Sequence, residues 1–89
     1  MEREVYYYQF YTPHGTVSIL PEPAGRWKVM FNEEHLGSYH SPEAAADDVS
    51  GGHTFEPSGD ADLSELGIPD NLGEWTKKLF ASISRLRPA

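Results

Sequence analysis

The chain has 89 residues, no cysteine and a formal charge of −7. That length supports one domain, residues 1–89, with a two-layer core, burying about 60–65% of the surface its unfolded form exposes, and leaves little room for a deep active-site cleft. The missing cysteines exclude disulfides, thiolate zinc sites and thiol catalysis.

The charge is unevenly placed. Between Val29 and Thr76 there are eleven Asp or Glu and no Lys or Arg, and then come Lys77, Lys78, Arg85 and Arg87 with no further acid. An acidic body repels nucleic-acid phosphates and keeps a small protein in solution. The start, Met-Glu-Arg-Glu, has no apolar stretch behind it and does not read as a secretory leader. No apolar run approaches the roughly 18 residues of a membrane-spanning helix. The expectation is a cytoplasmic protein with no membrane partner.

A sheet is expected over residues 5–40. Val5 to Tyr11 is aromatic and β-branched, a strand composition. Alternation puts Tyr6, Tyr8 and Phe10 on one face and Val5, Tyr7, Gln9 and Tyr11 on the other. Thr12-Pro13-His14-Gly15 is turn chemistry, and Thr16 to Leu20 makes a second strand with Val17 and Ile19 on one face. Pro21 and Pro23 stop the ladder. Arg26 to Phe31 is a third strand, with Trp27, Val29 and Phe31 inward and Arg26, Lys28 and Met30 outward. A turn at Asn32-Glu33-Glu34 leads to a short fourth strand, His35 to His40, in which Gly37 leaves room for a large neighbour such as Trp27.

A helix is expected over 42–50. Ser41 accepts from the first free amides, Pro42 suits the first helical position, and Glu43 complements the positive end. Ala44, Ala45 and Ala46 allow close approach to the sheet, and Gly51-Gly52 ends the helix. Residues 51–69 form a polar loop with a single turn at Asp62 to Glu65, closed at Gly67. Leu72, Trp75, Leu79, Ile83 and Leu86 then recur at helical spacing, which predicts an amphipathic C-terminal helix over 71–86, capped by Asp70 and widened by Phe80.

Chemistry-bearing clusters are sparse. His35 and His40 fall on opposite faces of a strand, and nothing fixes the distance between His14 and His53. Three or four convergent metal ligands are not supplied. Glu43 and Asp47 share a helix face, suited to a basic partner or to solvent. Ser50 and His53 are separated by two glycines and make no nucleophile–base pair, and no phosphate loop or hydrolase motif is present. The expectation is a protein that is not an enzyme and needs no cofactor or metal.

Residues 25–49 resemble the AP2-type DNA-binding domain, also seen in phage-integrase arm-binding modules: Gly25-Arg26-Trp27-Lys28-Val29-Met30-Phe31, then Leu36-Gly37-Ser38-Tyr39, then Ser41-Pro42-Glu43 leading into Ala45, Ala46 and Asp48. The match covers under a third of the chain. It implies a three-stranded sheet with a helix across one face, and DNA contacts from arginines and tryptophans on the exposed sheet face. Here the matched strand offers Arg26 and Lys28 for that role. The rest of the chain looks like a small bacterial protein.

Together these readings predict an α+β fold: a three- to four-stranded antiparallel sheet, an Ala-rich helix on one face and an amphipathic C-terminal helix. The leading functional expectation is a non-catalytic module that binds a protein through Tyr7 and Tyr11 together with Glu43 and Asp47. The alternative is DNA binding through Arg26 and Lys28, aided by Lys77, Lys78 and Arg85. A third is an acidic mimic of DNA. The last helix is expected to dock on its own domain or to form a homodimer.

Overall fold

The computed structural model describes residues 2–52 and 63–84. Residues 53–62, His53 among them, and Arg85 and Leu86 lie outside the described residues. The alternation in the N-terminal half produces a meander of β1 (Glu2–Thr12), β2 (Gly15–Glu22), β3 (Arg26–Phe31) and β4 (Glu34–Tyr39). Helix α1 (Pro42–Ser50) follows, and the chain returns to add β5 (Thr76–Ser84) beside β1. The five strands are antiparallel in the order β4-β3-β2-β1-β5. Fold class α+β therefore stands, with five strands where three or four were expected and one α-helix among the described residues.

The turns are fixed by side chains. Thr12 Oγ1 accepts from the amides of His14 and Gly15, both at 3.1 Å. Asn32, in the left-handed region at φ 55°, ties the tip of the β3–β4 hairpin to the start of β2. Its Oδ1 accepts from the Thr16 amide at 3.0 Å, and its own amide donates to the Thr16 carbonyl at 2.8 Å. Gly15 has φ +150°, and a Cβ there would stand 2.5 Å from Asn32 Nδ2, so only glycine leaves room for this clasp.

Helix α1 starts as the sequence predicts: Ser41 Oγ accepts from the Ala44 amide at 3.1 Å, with Pro42 in the first turn. Ala45, Ala46 and Val49 are fully buried against the sheet. The core lies between α1 and one sheet face, built from Val17 and Ile19 of β2, Val29 and Phe31 of β3, and Leu36 of β4. Leu63, Ile68 and Trp75 close its end from the connecting segment, where a single 3-10 turn at Leu63–Glu65 ends before Gly67 at φ +72°. The space at Gly37 is taken by Tyr39, whose ring lies 3.0 Å from where a Cβ would sit, and not by Trp27.

The expected C-terminal helix over 71–86 is the main correction. A 3-10 turn at Leu72–Glu74 is followed by β5, and no side chain caps the turn. The reason is tertiary. β1 is longer than β2's reach along it, and its aromatic strand composition needs a ladder partner on the outer edge. β5 supplies one from Glu2↔Ser84 to Gln9↔Thr76. Thr76, Phe80 and Ile83 suit a strand, and Gly73 costs a helix about 1 kcal/mol. The segment expected to offer a helix for dimerisation is a strand over Thr76–Ser84. The apolar spacing is real but is divided: Trp75 enters the core, while Leu79 is 52% exposed and Phe80 53% exposed.

Tyr39 joins β4 to α1 and makes stability pH-dependent. Burial, then the negative charge of Asp48 and its hydrogen bond, push the Tyr39 hydroxyl up to about 12 from 10.0. Below pH 10 both folded and unfolded chains keep this proton and its contribution is complete. Above pH 10 the unfolded chain loses a proton that the native state retains, so stability falls as pH rises toward about 12. The ring is partly exposed, so the loss is expected to be about 1 kcal/mol after solvent screening. Urea midpoints at either end of that window should differ, and Tyr39→Phe should reduce the difference. An unchanged slope in Tyr39→Phe assigns the alkaline loss to other tyrosines.

Candidate binding surface

The cross-strand registers sort every strand residue to one of two faces. Tyr8 opposes Ile19 and Phe10 opposes Val17, which places both rings on the α1 side, where they pack against the core. The alternate residues Tyr7, Gln9 and Tyr11 point to the opposite face, on which no described element is layered. From β5, Lys78 opposes Tyr7. From β3, Arg26 opposes Glu22, and Lys28 lies between Leu20 and Ser38. Tyr7, Tyr11, Arg26, Lys28 and Lys78 thus share one open sheet face.

Two hydrogen-bond networks stiffen that face. Lys78 Nζ donates to Tyr11 Oη at 2.8 Å, Tyr11 Oη donates to Gln9 Oε1 at 2.9 Å, and Gln9 Nε2 donates to Ser18 Oγ at 3.2 Å. The hydrogen bond to Tyr11 comes first among the causes that raise the Lys78 pKa, so its charge is secure at neutral pH. Across the sheet, Arg26 Nε and Nη2 donate to Ser38 Oγ and its carbonyl at 3.0 and 2.9 Å. Ser38 Oγ donates to Glu22 Oε1 at 2.8 Å, and His35 Nε2 stands 3.5 Å from Glu22 Oε2. The Ser38 hydroxyl is the largest cause that lowers the Glu22 pKa, with His35 and Lys28 adding to it. Phe80 completes the face, edge-on to Tyr7 with ring centroids 6.0 Å apart.

The remaining expected residues lie elsewhere. Lys77 opposes Tyr8 on the α1 side, its Nζ 4.3 Å from the centre of the Tyr6 ring. Glu43 and Asp47 are exposed on α1, in the other layer. One contact surface on the sheet therefore takes the strand tyrosines but not the helix acids. Gln9, Ser38, Glu22 and Phe80 were not expected at a site. Period two already places Gln9 between Tyr7 and Tyr11, whereas Phe80 was hidden by the helical reading of its segment.

Most of the described cations gather on one face. Of the four Lys or Arg whose side chains are described, Arg26, Lys28 and Lys78 lie on the open face, while Glu43, Asp47 and Asp48 lie on α1. No three His, Asp or Glu converge on a metal position among the described residues, and no described helix is long and apolar enough to cross a membrane. Comparison with protein-family models, with curated proteins and with solved structures found no match.

Proposed function

We propose that this protein is a non-catalytic binding module whose open sheet face holds a protein partner. One observation carries the reading: an acidic chain gathers Arg26, Lys28 and Lys78 with Tyr7, Tyr11 and Phe80 on the sheet face over which no described element is layered. Tyr and Arg are enriched at the energetic centres of protein interfaces. The Gln9–Tyr11–Lys78 chain holds its members in place before binding, which lowers the ordering cost of association. The partner chemistry that fits is a protein surface with acidic groups around an apolar centre.

DNA binding is the second reading, favoured by the same gathering of cations and by the likeness of residues 25–49 to a sheet that reads DNA. Three cations support a salt slope of at most about −3 on a logarithmic scale. A labelled amide spectrum titrated with mixed-sequence duplex at about 50 mM salt tests it: shifts around Arg26 and Lys28 support DNA, and an unchanged spectrum removes it. For the protein reading, affinity capture should retain a partner on the wild-type chain and lose it on Tyr11→Ala and Lys28→Glu, each weakening binding about tenfold or more. An identical set of captured proteins on all three baits would sink the assignment of this face.

A further inference from the structure

The main chain of β1 is only half used. Ile19 is the last β2 residue registered against β1, opposite Tyr8, while Leu20, Pro21 and Glu22 remain paired with β3. β5 continues along β1 to Glu2. Residues Glu2–Tyr7 of β1 therefore have one edge paired and one edge with no strand against it among the described residues. Backbone donors and acceptors on such an edge are a template for another extended chain.

A cleft of about 730 Å³ opens along that edge, where β2 turns away. Tyr6 and Tyr8 of β1 line it from one strand and Pro21 and Trp27 form the wall from β2 and β3, with Glu4 and Phe80 also in its lining. Pro21 and Pro23 supply no amide donors, so this wall cannot zip onto β1. Trp27 has no hydrogen-bond partner for its indole N–H among the described residues, and the nitrogen is not sealed from solvent. At the cleft's lip, Ala24 is held at φ 66°, a strained conformation for a residue other than glycine.

We propose that this cleft captures an extended segment of a partner protein, which adds as a strand beside Glu2–Tyr7 of β1. The free edge selects a strand over a proline-rich helix, because main-chain pairing is what a polyproline helix does not offer. Six residues of edge span about 20 Å. Alternate apolar side chains of the segment lie against Tyr6, Tyr8 and Trp27. Charge sets the rest of its chemistry. The two carboxylates that line the cleft, Glu4 and Glu22, outnumber its one cation, Arg26, so the segment is expected to bring a Lys or Arg. The cleft shares Phe80, Glu22 and Arg26 with the edge of the open sheet face, but not Tyr7, Tyr11, Lys28 or Lys78.

A library of random displayed peptides, selected on the wild-type protein, tests this directly. The expected result is a family of sequences with alternating apolar residues and at least one Lys or Arg. A resynthesised member should shift the Val5 to Tyr7 amides and the Trp27 indole N–H. N-methylation of alternate peptide amides should weaken it about tenfold in one register and little in the other. Tyr6→Ala should weaken it, Tyr6→Phe should restore it, and Tyr11→Ala should leave it unchanged. Selection of proline-rich or acidic peptides overturns the proposal. So does the absence of any enrichment, equal binding by both N-methylated registers and the parent, or loss of binding in Tyr11→Ala.

Discussion

Trp75→Ala is expected to release β5 from the sheet while the rest of the fold survives. Trp75 is 5% exposed, its ring lies 5.9 Å from that of Phe10, and its indole N–H donates to the Pro69 carbonyl at 3.0 Å. It is the last core residue before β5, and no β5 residue belongs to the buried core among the described residues. Truncating a buried tryptophan costs about 3–5 kcal/mol, against about 5–15 kcal/mol for a whole domain. Hydrogen exchange should show lost protection in β5 and in β1 from Glu2 to Tyr7, with β2, β3 and β4 still protected. Uniform loss across all strands would show instead that Trp75 supports the whole core. Trp75→Phe keeps much of the packing and should cost mainly the hydrogen bond, about 1 kcal/mol.

Ile19→Ala should fail differently, by weakening the entire domain. Ile19 is fully buried in β2, the central strand of the five, with Tyr8 and Val29 as its cross-strand neighbours. The lost contacts and the cavity left behind cost about 2–5 kcal/mol. At about 4–8 °C per kcal/mol for a chain of this size, the melting temperature should fall by at least about 10 °C. Its sequence neighbour supplies the control. Leu20 points to the open face opposite Lys28, so Leu20→Ala should cost less than about 1 kcal/mol. Equal losses in the two variants would contradict the assignment of the faces.

Most of this arrangement is legible from local rules. Alternation places Tyr8, Phe10, Val17, Ile19, Trp27, Val29 and Phe31 toward α1, and Tyr7, Tyr11, Arg26 and Lys28 away from it, because one face of the sheet had to be apolar. The Ser41–Pro42 start of α1 is equally local. The last strand is not. Leu72, Trp75, Leu79, Ile83 and Leu86 satisfy a helical template, and only the demand of β1 for an outer partner decides otherwise. The excess length of β1 over β2 was the available signal, since strand lengths across a sheet tend to match. The open face is half legible for the same reason: Tyr7 and Tyr11 are visible in the alternation, but Lys78 and Phe80 join them only when β5 is a strand. The cleft was not legible, because it depends on where β2 parts from β1.

The strand order also sets a timetable for folding. The β1–β2, β2–β3 and β3–β4 pairs link neighbours in the chain and can form as soon as each hairpin is complete. The β1–β5 ladder joins Gln9 to Thr76 at one end and Glu2 to Ser84 at the other, pairs 67 and 82 positions apart. Loop closure of that length makes this ladder the late, slow event. Until it forms, the nascent protein exposes both edges of its most aromatic strand from Glu2 to Tyr7. That is the interval in which this chain is most prone to associate with its own copies, and during synthesis it lasts until β5 is available.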